Sequence, residues 1–335
     1  MNKTSLGFHT VTIVKKLTRE EAKQLYRDFK NYKDRTGEID FFPLRKNIKS
    51  DTIDEFIKWL YSGSSRYIIV HYPFRNIGIH WVLRYGNKSP GFIIPEDADR
   101  PCSIKATINP KILSGEKDYL AAATSINLKE AEALFNIEAR KISPILGVYG
   151  QYLFNRQDYC INFDLQELGI QCTPEQMIYL IRQGDISRHY SERTEYNKAS
   201  KRQVPDKNSF YLESKSATIN CYHKQMQLQK EFPNCPDLHG SRNIIRFEVQ
   251  CKYLKVYNLS KDLKNKPGIS YSEIIREMLS EDFCGELIED YFNRVVRKGD
   301  YFTLDGARWM VEAQNFRREK EESLRAPFRC EPSIK

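Results

Sequence analysis

Cys160-Ile161-Asn162-Phe163-Asp164-Leu165-Gln166 reads as a β-strand whose period of two sends Ile161, Phe163 and Leu165 to one side and Asn162, Asp164 and Gln166 to the other. The division recurs twice further on. In Thr218-Ile219-Asn220-Cys221-Tyr222-His223-Lys224, Ile219 and Cys221 oppose Asn220, Tyr222 and Lys224. In Ile245-Arg246-Phe247-Glu248-Val249-Gln250-Cys251-Lys252, four apolar residues oppose Arg246, Glu248, Gln250 and Lys252. Placed in one sheet, these strands give a dry face and a wet one. The wet face carries an aspartate, a glutamate, a tyrosine, a lysine and an arginine. Metal-assisted attack on a phosphodiester requires that set: carboxylates for a hard cation, a phenol nucleophile and cations for the phosphate. The same alternation also describes an antiparallel sheet with one solvated face. There, charged cross-strand pairs such as Glu248 with Lys224 are worth roughly 0.2–1 kcal/mol each. Alternation puts the groups on one side without bringing them together.

Working outward, the chain opens with a strand over residues 7–14 and a capping box, Thr18-Arg19-Glu20-Glu21, followed by Ala22, Leu25, Tyr26 and Phe29 at helical spacing. A short helix over 53–61, hairpin strands over 66–71 and 77–83 and a strand over 101–107 follow. Asn127 with Glu130 opens a helix running to about Arg140. The second half repeats the order. The strand ending at Asp164 precedes a second capping box, Thr173-Pro174-Glu175-Gln176, with proline where its missing N–H is harmless. A polar loop over 184–208, a hairpin over 210–213 and 217–224, and the strand over 244–252 complete it. Both halves read strand, helix, hairpin, strand. The expected fold class is α+β, with mixed, mostly antiparallel sheets from two β-α-β-β-β-like units, residues 1–150 and 151–260. A helical C-terminal region over 261–335 follows, with patterns at 270–279, 286–296 and 304–318. It either packs on the sheet or forms a separate DNA-contacting lobe.

The chain has 335 residues, enough for a substantial core, and no apolar run near the ~18–20 residues that cross a bilayer. A membrane partner is therefore not expected, and without a signal-peptide core at the start a cytoplasmic location is. The net charge of +9 favours a polyanionic partner, because cationic surfaces gain from releasing counterions condensed on nucleic acid. The 44 acidic residues interspersed through the chain moderate that preference. Eight cysteines include no C-x-x-C pair, and Cys160, Cys221 and Cys251 fall on apolar strand positions, so they are read as reduced, buried small side chains. In the polar loop, Arg188, Arg193, Lys201 and Arg202 alternate with Tyr190 and Tyr196, a composition suited to single-stranded DNA through phosphate pairing and base stacking. Asp185, Glu192, Glu195 and Asp206 dilute that charge, and a solvated loop reads the same way.

Several phrases, in order, resemble the filamentous-phage and plasmid rolling-circle replication initiators of the gene II type. Ile108-Asn109-Pro110-Lys111-Ile112-Leu113-Ser114-Gly115 resembles the family's early S-P-K-x-L-x-G phrase. Ile161-Asn162-Phe163-Asp164 resembles its strand ending in aspartate. Cys221-Tyr222-His223-Lys224 with Gln227-Leu228-Gln229 resembles its tyrosine phrase, and Ile245-Arg246-Phe247-Glu248 with Lys255 its R-F-E phrase. Together these span roughly residues 100–260. Asn162 stands where relatives carry arginine, Gln227 where they carry glutamate and Glu116 where they carry histidine. The H-x-H motif of the wider tyrosine-nickase class is absent, since His71 and His80 are far apart.

The resemblance implies a tyrosine-nickase-like fold and a site- and strand-specific nicking-closing endonuclease that starts rolling-circle replication. By position in its phrase the nucleophile would be Tyr222, leaving a 5′-phosphotyrosine link and a 3′-OH primer. Asp164 and Glu248 would hold one Mg²⁺ or Mn²⁺, and Lys224 and Arg246 would stabilise the phosphate charge. His223 is read as a buried, satisfied histidine facing the core. The implied partners are single-stranded or supercoiled origin DNA, with a host helicase and polymerase. A conjugative relaxase of a mobile element would use the same nick, and a non-catalytic origin DNA-binding protein would keep the basic charge without needing Tyr222.

Overall fold

The computed structural model describes residues 5–37, 40–43, 67–71, 78–84, 102–116, 120–182, 185–186, 190–192, 195–197, 202–204, 208–264 and 270–297. In chain order the first half contains β1 (Ser5–Leu17), α1 (Arg19–Thr36), β2 (Asp40–Pro43), β3 (Tyr67–His71), β4 (Ile79–Arg84), β5 (Cys102–Ile108), α2 (Pro110–Leu113) and α3 (Ser125–Ile142). The second contains β6 (Leu153–Asp164), α4 (Pro174–Arg182), the short strands β7 (Asp185–Ile186), β8 (Ser191–Glu192), β9 (Glu195–Asn197) and β10 (Arg202–Val204), then β11 (Ser209–Glu213), β12 (Ala217–His223), α5 (Lys224–Glu231) and β13 (Ile244–Cys251). After it come α6 (Tyr253–Lys264), α7 (Tyr271–Met278), α8 (Glu281–Val295) and β14 (Val296–Arg297).

One ten-stranded sheet, in the order β2-β3-β4-β5-β1-β6-β13-β12-β11-β8, runs through both halves. Its described pairings are antiparallel throughout. Each half pairs its first strand with its last, β1 with β5 and β6 with β13, and extends outward through its hairpin. The halves join through their first strands, β1 against β6. The fold is α+β, but the two units share a single continuous sheet rather than holding one each.

Local chemistry explains where the helices start. Thr18 accepts from the Glu21 amide while the Glu21 carboxylate accepts from the Thr18 amide at 2.7 Å, and Thr173 with Gln176 and Ser270 with Glu273 repeat the device. Helix α1 ends at Gly37, which sits at φ +69° and donates to the Lys33 carbonyl. Helix α3 begins earlier than the Asn127–Glu130 spacing predicts. Thr124 is its N-cap and Asn127 closes the box, with the Thr124 amide donating to Asn127 Oδ1 at 2.9 Å. The helices expected over 53–61 and 304–318 lie outside the described residues.

The dry face of the sheet is the core. Trp81 on β4 lies between Phe29 of α1 and Phe135 of α3, with ring centroids 6.3 and 5.3 Å away. In the second half, α8 sets Phe292 against Phe247 at 5.5 Å and Phe283 against Tyr159 at 6.2 Å. Helix α8 therefore packs on the sheet. The other face is left for polar side chains.

Candidate functional site

The strand register fixes which polar residues meet. Tyr222 on β12 pairs with Arg246 on β13, and Arg246 with Asn162 on β6. Two residues along, Asn220 pairs with Glu248 and Glu248 with Cys160; two further, Gln250 pairs with Asp158. These residues share the face opposite the core. Of these, Tyr222, Asn220, Glu248, Gln250 and Asp158 line, with Thr107 of β5 and Tyr211 of β11 at its ends, an open groove of about 750 Å³. At about 4.8 Å between strands, a groove from β5 to β11 spans roughly 24 Å.

Tyr222 and Glu248 meet in this groove. The phenol hydroxyl donates to Glu248 Oε2 at 3.3 Å, and Gln250 Nε2 donates to Glu248 Oε1 at 2.9 Å, which holds the carboxylate in place. Burial, then the Glu248 carboxylate, push the Tyr222 phenol well above its ordinary pKa of 10, against the pull of Arg246. Tyr222 is thus a protonated phenol held against a carboxylate able to take its proton.

Arg246 is 1 % exposed and does not line the groove. Its Nε donates to Asn162 Oδ1 at 2.7 Å, and Asn162 is itself held by Ser5 Oγ at 3.1 Å and the Leu120 carbonyl. Nη1 and Nη2 are buried without a hydrogen-bond acceptor among the described residues. Asn162, where the resembling family has arginine, therefore orients a buried guanidinium. Lys224 was expected to continue β12. Instead the strand ends at His223, and Lys224 opens α5, 2 % exposed, with Nζ donating to Gln227 Oε1 at 2.7 Å. Burial, then the charge of Arg246, lower its pKa to about 7. Both cations are buried, and Arg246 lies against the Tyr222 phenol.

Asp164 corrects the expected metal pair. It pairs with Ile244, four residues along the strand from the Glu248 pair, a separation of roughly 13 Å. Its Oδ1 accepts from the amides of Gln166 and Glu167 at 3.0 and 3.3 Å, capping the turn after β6. The register thus sets Asp164 at the end of β6, apart from Glu248. The carboxylate diagonal to Glu248 is Asp158. Asp158 Oδ2 accepts from Thr10 and from Arg156 Nη2 at 2.6 Å, while Oδ1 is buried with no hydrogen-bond partner among the described residues. Burial raises Asp158 to about 6; Arg156 opposes the rise and Glu248 adds to it.

A third group arrives through a bulge. β1 pairs Phe8 with Tyr159 but Thr10 with Asp158, so His9 is the extra residue. The bulge re-aims its imidazole onto the polar face, with Nδ1 3.9 Å from Glu248 Oε2 and Nε2 3.4 Å from Asn109 Nδ2. Just before it, a Cβ on Gly7 would strike the Ala123 carbonyl oxygen, so glycine lets the 120–123 segment close over β1. Burial, then Arg246, Lys224 and Arg156, hold His9 well below the usual histidine range, leaving a neutral imidazole at pH 7. Glu248, Asp158 and His9 offer hard oxygens and a neutral nitrogen to a divalent cation, and the orphaned Asp158 Oδ1 is the kind of atom such an ion satisfies. Among the described residues no three such side chains stand gathered at ligand spacing. An ion here would complete its shell with water and phosphate oxygens.

His223 is satisfied on both ring nitrogens, by Glu175 Oε1 at 3.1 Å and the Arg242 carbonyl at 2.8 Å. Arg188, Arg193 and Lys201 lie outside the described residues. Arg202 opens β10, where it pairs with Asn197. No helix among the described residues is long and apolar enough to cross a membrane.

No family model matches this chain, and no curated protein matches it. Among solved structures, a rolling circle replication initiator protein from Geobacillus stearothermophilus is similar at 9 % identity and a TM-score of 0.34, covering 94 % of this chain and 96 % of that one.

Proposed function

We propose that the chain is a divalent-cation-assisted nicking-closing endonuclease that starts rolling-circle replication through a tyrosine nucleophile, as the gene II-type resemblance implies. The observation that carries the reading is the Tyr222 hydroxyl donating to a buried, fixed Glu248 carboxylate on the floor of a groove open to a strand. Glu248 takes the phenol proton as the oxygen attacks phosphorus. The P–O5′ side stays on the enzyme as a 5′-phosphotyrosine, the P–O3′ bond breaks, and the departing O3′ takes a proton to become the 3′-OH primer. Arg246, held by Asn162, lowers the cost of the phenolate. Mg²⁺ or Mn²⁺ held by Glu248 and His9, with Asp158 adjoining, would draw charge from the scissile phosphate. The phosphotyrosine link keeps the bond's free energy, so attack by a 3′-OH reverses the step and closes a strand.

Origin DNA is the proposed partner; a helicase and a polymerase would follow in using the 3′-OH. The test is to incubate the protein with Mn²⁺ and a 3′-labelled pool of random single-stranded oligonucleotides. The reading expects a labelled covalent adduct with wild type and none with Tyr222→Phe. Equal adducts from both remove Tyr222, and binding without any adduct favours the non-catalytic origin-binding protein.

A further inference from the structure

Arg156 of β6 and Lys230 of α5 are the arginine and the lysine that line the groove among the described residues. They flank the Tyr222–Glu248 pair. Strands β6 and β12 both pair antiparallel with β13 and so run the same way. Arg156 precedes Cys160, the partner of Glu248, by four residues, or roughly 13 Å. Lys230 follows Tyr222 on the helix that continues β12, six residues into it or roughly 9 Å along its axis. Arg156 Nη2 donates to Asp158 Oδ2 at 2.6 Å, which fixes the guanidinium at the groove wall with 37 % of its side chain exposed. Lys230 is exposed and has no hydrogen-bond or ion-pair partner among the described residues. The carboxylates that line the groove each have donors of their own. Asp158 accepts from Thr10 and Arg156, Glu248 from Tyr222 and Gln250, and Glu231 from Gln227 Nε2 at 3.0 Å. Positive charge thus stands on both sides of the site, with Asp158 and Glu248 between.

We propose that Arg156 and Lys230 hold one DNA strand across the groove by its phosphates, on either side of the phosphate that Tyr222 attacks. The inference rests on the proposed nicking function for the identity of the ligand. A fixed guanidinium presents several N–H donors in one plane and suits phosphate oxygens, while a lysine acts on them as a point charge on a flexible stem. A phosphate over Asp158 or Glu248 meets like charge, so the phosphate that sits there is the one a divalent cation would bridge. The flanking phosphates fall to the two cations. Neither side chain makes or breaks a bond; both bind and position the strand. Each phosphate they neutralise releases condensed counterions, adding about 0.7 to the salt slope of single-strand binding.

The test uses the full chain and a fluorescent single-stranded thymidine dodecamer at fixed Mn²⁺, titrated by anisotropy as monovalent salt is raised from about 50 to about 200 mM. Plotted as log K against log salt, Lys230→Gln should flatten the slope by about 0.7. Arg156→Gln is made together with Asp158→Asn and read against Asp158→Asn alone, so that no buried carboxylate is left without its cation; it too should flatten the slope by about 0.7, and Arg156→Lys should restore it. The control is Lys261→Gln, an exposed lysine of α6, which packs on the core through Val256 and Leu263. It should leave the slope unchanged. A slope unchanged by either groove substitution, a Lys261→Gln slope flattened as much as theirs, or absence of binding overturns the inference. Adduct formation in the random pool is scored separately. The expected slopes without adducts sink the nicking reading and support the phosphate contacts; adducts with unchanged slopes do the reverse.

Discussion

Replacing Glu248 with glutamine tests the proton transfer at the heart of the site. The change keeps the shape of a side chain that is 3 % exposed and its contact with Gln250, and removes the charge that accepts the Tyr222 proton and that would also face the cation. A phenol at its ordinary pKa of about 10 is ionised in roughly 1 molecule in 300 at pH 7.5. Tyr222 is pushed above that value, so its spontaneous phenolate fraction is smaller still. Losing the base should then slow adduct formation by about 10²–10⁴-fold, a barrier increase of about 3–5 kcal/mol. The assay is single-turnover adduct formation on a cleaved oligonucleotide from the random pool, at saturating Mn²⁺ so that weakened ion binding does not enter. The pH dependence separates a lost base from general damage. Without Glu248 the rate must track the phenolate fraction, rising about tenfold per pH unit from 7 to 9, whereas wild type is flatter. A Glu248→Gln rate within threefold of wild type at pH 7.5, or a uniform loss with an unchanged pH profile, refutes the assignment.

Lys224→Met should stabilise the fold, and more so at low pH. The buried amine falls from 10.5 to about 7, so between those values the unfolded chain binds the extra proton and this group's contribution to stability rises with pH. The gain measured by denaturation should be largest at pH 6 and shrink by about 1.4 kcal/mol per unit from pH 7 to 9. Arg246→Met replaces a buried guanidinium whose two terminal nitrogens lack acceptors among the described residues, so its Tm should equal or exceed wild type while adduct formation falls at least about 100-fold. Asp164→Ala removes the cap on two amides and should cost about 1–2 kcal/mol in urea unfolding, with the adduct rate within about threefold of wild type.

The period of two in three segments was enough to read the two faces of the sheet, and the capping boxes at Thr18 and Thr173 located helix starts because hydroxyl-to-amide spacing is a local matter. Register is not local. Parity placed Asp164 and Glu248 on one face, but the offset between β6 and β13 is set by packing of the whole sheet, and that offset brings Asp158 to Glu248 and leaves Asp164 at a turn. His9 was missed for a related reason. A bulge breaks the alternation of β1, so side assignment by counting fails at the one residue the bulge turns toward the site. Lys224 was read as the last wet-face position of β12, but nothing in its strand pattern showed that α5 would begin there and bury it.

Everything rests on the phenol of residue 222 becoming esterified to a 5′ phosphate. Wild-type protein should be incubated with Mn²⁺ and the random pool, the DNA trimmed by nuclease, and the tryptic peptides sequenced by mass spectrometry. The account predicts a nucleotide adduct on the tyrosine of the Ser216–Lys224 peptide; an adduct mapped to any other tyrosine, with Tyr222 unmodified, contradicts it.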